Sequence, residues 1–144
     1  MKIIGKKWAL CALLYFLIAP AAVHADKDLD SFVSRLNIEA SADLGGFKAR
    51  LSAQFGVTAA QADLLIRDVD RPADAYMCLR VSQITQHPTD VVLKEYRNSK
   101  GKGWGVIAKH LGIKPGSKEF HELKKGDLEP SPEKGQPKGK KKGH

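Results

Sequence analysis

No apolar run in this chain is long enough to span a bilayer. The longest, Trp8 to Ala19, has twelve residues, against the roughly 20 that a membrane helix needs, and no second apolar segment or stop-transfer pattern follows it. Lys2, Lys6 and Lys7 precede the run, and Pro20 with a small-residue exit ending in Val23-His24-Ala25 follows it. These are the three parts of a secretory leader. Pro20 is expected to break the leader helix so that Val23-His24-Ala25 lies extended in a peptidase, with cleavage between Ala25 and Asp26. An uncleaved anchor is the alternative.

Cysteine is nearly absent. Cys11 lies inside the apolar run behind Leu10, where lipid attachment would need a small residue, so a lipoprotein is excluded. Removing residues 1–25 leaves Cys78 as the only thiol, so no intramolecular disulfide forms and stability must come from packing. Met77 and Leu79 beside Cys78 predict a buried small hydrophobe; the alternative for an odd cysteine is a bridge between chains.

Strand periodicity is missing as well, which argues against a β-sheet core, whereas helical spacing recurs from residue 26 to residue 123. Leu29, Phe32, Val33 and Leu36 fall on one stripe, and Leu44, Phe47, Leu51 and Phe55 repeat the pattern. Gly56 is placed to end the second helix in the left-handed conformation. Thr58-Ala-Ala-Gln61 reads as a capping box opening a helix through Leu64, Leu65 and Val69. Pro72 suits the first turn of a helix running to about Gln86, apolar on several sides and therefore the expected centre of the core. Thr89 and Asp90 start another helix. The glycines of Lys100-Gly-Lys-Gly-Trp-Gly105 precede a short one, Val106 to Leu111, closed by Gly112, and Ser117 caps a last turn or two carrying Phe120 and Leu123. The fold class expected is all-α, a small irregular bundle of about five to six helices. From Lys124 to His144 Leu128 is the only large apolar residue, so residues 124–144 are expected to be a disordered tail.

Patterns that carry catalysis or bind metal are lacking. There is no Gly-x-Ser-x-Gly elbow, and Cys78 has no histidine in sequence context. The acidic residues fall mostly on solvent faces or at helix starts, as with Asp26, Asp28 and Asp30 at the expected new N-terminus, where they favour the helix dipole. After the leader the histidines are His87, His110, His121 and His144, with none spaced i, i+4 and no cysteine pair beside them. His110 and His121 can meet across the Pro115-Gly116 turn, but two histidines do not complete a site. Gly101-x-Gly103-x-Gly105 invites a phosphate-loop reading, yet a helix rather than a strand precedes it. Glycines that let Trp104 turn back into the core explain it better. The expectation is therefore no enzyme and no cofactor.

Positive charge, by contrast, is concentrated. Residues 26–88 carry seven basic and nine acidic side chains, residues 89–123 seven and four, and residues 124–144 seven and three. Candidate binding residues are Trp104, which stacks on a sugar or base unless it is a core plug, and the lysines around it, Lys100, Lys102, Lys109 and Lys114. In the tail they are Lys138, Lys140, Lys141 and Lys142, which draw a flexible segment to anionic polymers or a membrane surface unless the tail merely solvates. Ile107, Ala108, Leu111, Gly112 and Ile113 fall as in helix-turn-helix modules, so a nucleic-acid-binding module over Trp104 to Leu123 is the alternative. The four-residue insertion Lys114-Pro-Gly-Ser117 lengthens its turn, and Phe120 arrives about two residues late, which favours a packed helical hairpin.

Three segments, Ala42-Asp-Leu-Gly-Gly-Phe-Lys48, Pro72-Ala-Asp-Ala-Tyr-Met-Cys-Leu79 and the run from Lys100-Gly-Lys-Gly-Trp-Gly-Val-Ile-Ala-Lys-His to Leu-Gly-Ile-Lys-Pro-Gly-Ser-Lys-Glu-Phe-His-Glu-Leu-Lys124, resemble a family of small exported proteins of Gram-negative bacteria, particularly metal-reducing deltaproteobacteria. Members of that family often end in a similar Lys-Gly tail. The resemblance implies export; it implies no activity and transfers no functional residue. The combined expectation is a periplasmic or secreted, non-enzymatic binding or envelope-associated protein that contacts anionic partners through its basic C-terminal half.

Overall fold

The computed structural model describes residues 21–125, with side chains from Asp26 onward. Residues 1–20 of the expected leader, and residues 126–144 of the expected tail with Lys138, Lys140, Lys141 and Lys142, lie outside the described residues. Among those described there are seven helices and no strand: α1 (Ala21–Ala42), α2 (Leu44–Phe55), α3 (Ala59–Asp68), α4 (Pro72–Thr85), α5 (Thr89–Asn98), α6 (Trp104–His110) and α7 (Lys118–Glu122). The all-α class holds, and the helix count exceeds the expected five to six because the last segment closes a turn of its own. Ser117 accepts from Phe120 N at 3.1 Å at one end. At the other, the Arg80 guanidinium donates to the carbonyl of Glu122 at 2.8 and 3.0 Å, satisfying an acceptor that a helix end leaves open.

Helix α4 occupies the centre, packed by α1, α2, α3 and α5. Every residue from Ala73 to Leu79 is buried, as is Val81. That all-round burial is why α4 has no polar face to read from its spacing. The Tyr76 ring meets Phe32 of α1 at 5.9 Å and Phe55 of α2 edge-on at 5.4 Å, joining three helices through one aromatic cluster. The α1 stripe of Leu29, Phe32, Val33 and Leu36 is buried against this core, each such side chain contributing about 1.5–3 kcal/mol.

Local signals set the breaks. Gly56 has φ 69°, and Thr58 and Gln61 exchange the two bonds of a capping box at 3.1 and 2.8 Å. Pro72 opens α4. Two stripe positions depart from expectation: Leu64 is 62% exposed and Leu44 is exposed, while Ala62 and Leu65 turn inward on α3.

Among the described residues α1 runs unbroken through the Ala25–Asp26 bond, with Val23, His24 and Ala25 helical in the uncleaved chain. Because α1 crosses α6, Asp26 and Asp30 lie against Gly105 and Gly103: a Cβ on Gly105 would lie 2.3 Å from Asp26 Oδ1, and one on Gly103 3.7 Å from Asp30 Oδ1.

Candidate functional site

One acidic side chain breaks the rule that the others follow. Asp74, two residues into α4 after Pro72, is 1% exposed. A buried carboxyl must be hydrogen-bonded to be tolerated, and four donors reach this one. Arg71, just before α4, donates Nε to Oδ2 at 3.3 Å and Nη2 to Oδ1 at 3.2 Å. Tyr96 of α5 donates its hydroxyl to Oδ2 at 3.0 Å, and Trp104 at the start of α6 donates Nε1 to Oδ1 at 2.8 Å. Each carboxyl oxygen thus accepts twice, which is about the full capacity of the group. Nothing remains on Asp74 to take a proton from a substrate, so its role is to join α4, α5 and α6.

The donors are held in turn. The Tyr96 hydroxyl accepts from the backbone N–H of Asp70 at 3.1 Å. Burial pushes its phenol well above the usual range, so it stays a donor. The Tyr96 and Trp104 rings stack at 5.5 Å with planes 21° apart. The hydrogen bond to Asp74 raises the Arg71 guanidinium further. Trp104 reaches this position because Gly101 and Gly103 adopt φ of 80° and 85°, a region that side chains with Cβ avoid, and Lys102 N closes the turn on Ser99 O at 3.0 Å.

Beside this knot opens a cleft of about 400 Å³. Tyr96, Trp104 and Ile107 contribute apolar wall, and Arg71, Asp70 and Lys100 contribute charge. Lys100 Nζ lies 2.9 Å from Asp70 Oδ1, and the Lys100 bond holds the Asp70 carboxyl below its usual range. On the α1 side, burial and then Asp26 push the Asp30 carboxyl up. Asp26 Oδ1 is itself buried without a hydrogen-bond partner among the described residues.

A second polar cluster ties α5 to α6. Glu95 Oε1 accepts from Ser99 Oγ at 2.6 Å and lies 2.7 Å from His110 Nδ1. These bonds, Ser99 first, hold the Glu95 carboxyl below its usual range. Ser99 Oγ also lies 3.3 Å from His110 Nδ1, so serine, histidine and glutamate form one mutually contacting cluster, in which serine and histidine share the same glutamate oxygen instead of being strung in line with histidine between the other two.

Of the residues expected to bind, the fold brings Lys100 and Trp104 to one cleft. Trp104 is 3% exposed and covered on one face by Tyr96, so it offers no open ring on which a sugar or base stacks. Lys102, Lys109 and Lys114 are exposed and lie outside the cleft. His110 turns to Glu95 while His121 is exposed. Cys78 is buried, its thiol pushed up to about 12 by burial. The spacing of the sequence did not single out Asp74, Arg71 or Tyr96. The signal that was there is a lone carboxyl inside an otherwise apolar helix, three residues after an arginine.

No family model, curated protein or solved structure matches this chain.

Proposed function

We propose that this is an exported, non-enzymatic binding or envelope-associated protein that contacts anionic partners through its basic C-terminal half. The observation that carries the reading is the state of its lysines. Residues 100–125 hold seven lysines and two glutamates. Of these lysines, Lys102, Lys109, Lys114 and Lys118 are exposed and form no ion pair among the described residues. Acidic partners for them exist elsewhere in the chain, but Asp63, Asp68 and Asp70 are taken by Lys48, Arg97 and Lys100. Unpaired surface cations attract polyanions over a screening length of about 10 Å at 0.1 M salt. Asp74, with both oxygens filled, has no lone pair left to act as a general base. The family resemblance and the leader belong to the same proposal and support export, with a periplasmic or secreted location.

The helix-turn-helix alternative draws less support. Helix α7 has five residues, about 7.5 Å of axis, and its Phe120 is spent on the core. Little is left to lie in a major groove.

Retention on heparin at graded salt tests the reading. Deleting residues 126–144 is expected to lower the eluting salt, and Lys102→Gln, Lys109→Gln and Lys114→Gln together to lower it again. Elution of all versions at the same low salt would reject it.

A further inference from the structure

After its internal bonds are made, the cleft beside Asp74 has donors to spare and few acceptors. Arg71 commits Nε and Nη2 to Asp74, while Nη1 bonds to nothing among the described residues and the side chain is 48% exposed. Lys100 gives one N–H to Asp70 and is 65% exposed, leaving two of an ammonium's three donors. The backbone N–H groups of Gly101 and Gly103, also at the cleft, have no acceptor among the described residues. On the other side, both Asp74 oxygens are filled and Ser99 Oγ is engaged by Glu95, so among the carboxylate and hydroxyl oxygens lining the cleft Oδ2 of Asp70 is left without a bond.

From this imbalance we propose that the cleft binds a small organic monoanion, its carboxylate taken by Arg71 Nη1 and Lys100 Nζ and its apolar or aromatic body lodged toward the Trp104 and Ile107 wall. The planar fork of Arg71, already oriented by Asp74, suits a carboxylate because little freedom is lost when it binds. Size agrees: about 400 Å³ falls in the roughly 300–1,000 Å³ range of small-molecule clefts. Asp70 and Asp74 offset the two cations and Asp30 is close enough to act on Arg71, so the carboxylate is held by the free N–H groups of Arg71 and Lys100 and not by a net positive field, and a dianion is disfavoured. The site is separate from the exposed lysines of the polyanion reading and stands or falls without them.

The test is a titration of the full-length chain carrying Trp8→Phe, which leaves Trp104 as its one indole. The indole N–H resonance, held by Asp74 at the edge of the cleft, reports occupancy. Benzoate is expected to shift it saturably, and benzamide, of the same shape without the charge, to bind at least about tenfold more weakly, 1.4 kcal/mol. Phenyl phosphate, a dianion above pH 7, is expected to bind more weakly than benzoate. Lys100→Gln changes an exposed side chain and is expected to weaken benzoate several-fold without moving the thermal midpoint by more than a degree or two. No saturable shift with benzoate, equal binding of benzamide, tighter binding of phenyl phosphate, or unchanged benzoate affinity in Lys100→Gln would each overturn the proposal.

Discussion

The indole N–H of Trp104 donates to Asp74 Oδ1 at 2.8 Å across 30 residues of chain. It fastens α6, a helix of seven residues that would be marginal alone, to the central helix of the bundle. Arg71 and Tyr96 meet the same carboxyl, so one side chain orders the junction of α4, α5 and α6.

Removing that acceptor is expected to be among the costliest single changes in the protein. Asp74→Ala leaves the Tyr96 hydroxyl, the Trp104 indole and part of Arg71 without an acceptor, at about 3–5 kcal/mol. Trp104→Phe deletes one donor and is expected to cost about 1–3 kcal/mol. Urea unfolding followed by far-ultraviolet circular dichroism measures both, and a loss under about 1 kcal/mol for Asp74→Ala would remove the knot from any account of stability.

Two carboxyls are expected to shape the acid limb of stability in opposite directions. Glu95 titrates below its ordinary 4.5 in the folded protein because Ser99 and His110 bond its ionised form. Its contribution is therefore present above 4.5 and lost as pH falls through the folded value. Asp30 titrates above its ordinary 3.8 because burial and Asp26 disfavour its charge, against the pull of Arg71. Folding is therefore favoured by its proton below 3.8, and that advantage is lost as pH rises through the folded value. Glu95→Gln should lower the thermal midpoint at pH 6 more than at pH 3. Asp30→Asn should raise it at pH 6 and change it little at pH 3. Identical shifts at both pH values would show that neither group is linked to folding.

Cys78 is expected to be inert in the native state. It is buried, and a thiol pushed up to about 12 carries almost no thiolate at neutral pH. An aromatic disulfide reagent should label it only at the rate of unfolding, with labelling accelerated by urea. Non-reducing gels of native protein should show monomer. Rapid labelling without denaturant would contradict the burial.

Arg80 is expected to control α7. Its guanidinium bonds the carbonyl of Glu122 twice, reaches that of Lys125, and lies 3.7 Å from Glu122 Oε2. Arg80→Ala should fray the last turn, raising amide exchange at Phe120 to Lys124 about tenfold or more while α1 to α5 keep their protection. Exchange that rises uniformly would mean that Arg80 acts on the whole core.

Much of the architecture was legible in residue spacing. The stripe of α1, the Gly56 stop, the Thr58–Gln61 box, Pro72 at the head of α4 and the Ser117 cap are each short-range devices, written in residues no more than a turn or two apart. The burial of Cys78 followed from its neighbours in the same way.

What the chain determines by itself is local: where helices start and stop, which face of each is apolar, and where charge accumulates, since all of these depend on neighbours within a few residues. Only the packed bundle decided that Asp74 would be buried and saturated, that Arg71 and Lys100 would share a cleft with Trp104, and that Lys102, Lys109 and Lys114 would stay outside it. Those partners lie up to about 30 residues apart, and a carboxyl in an apolar helix reveals its role only when the donors that satisfy it arrive from other helices.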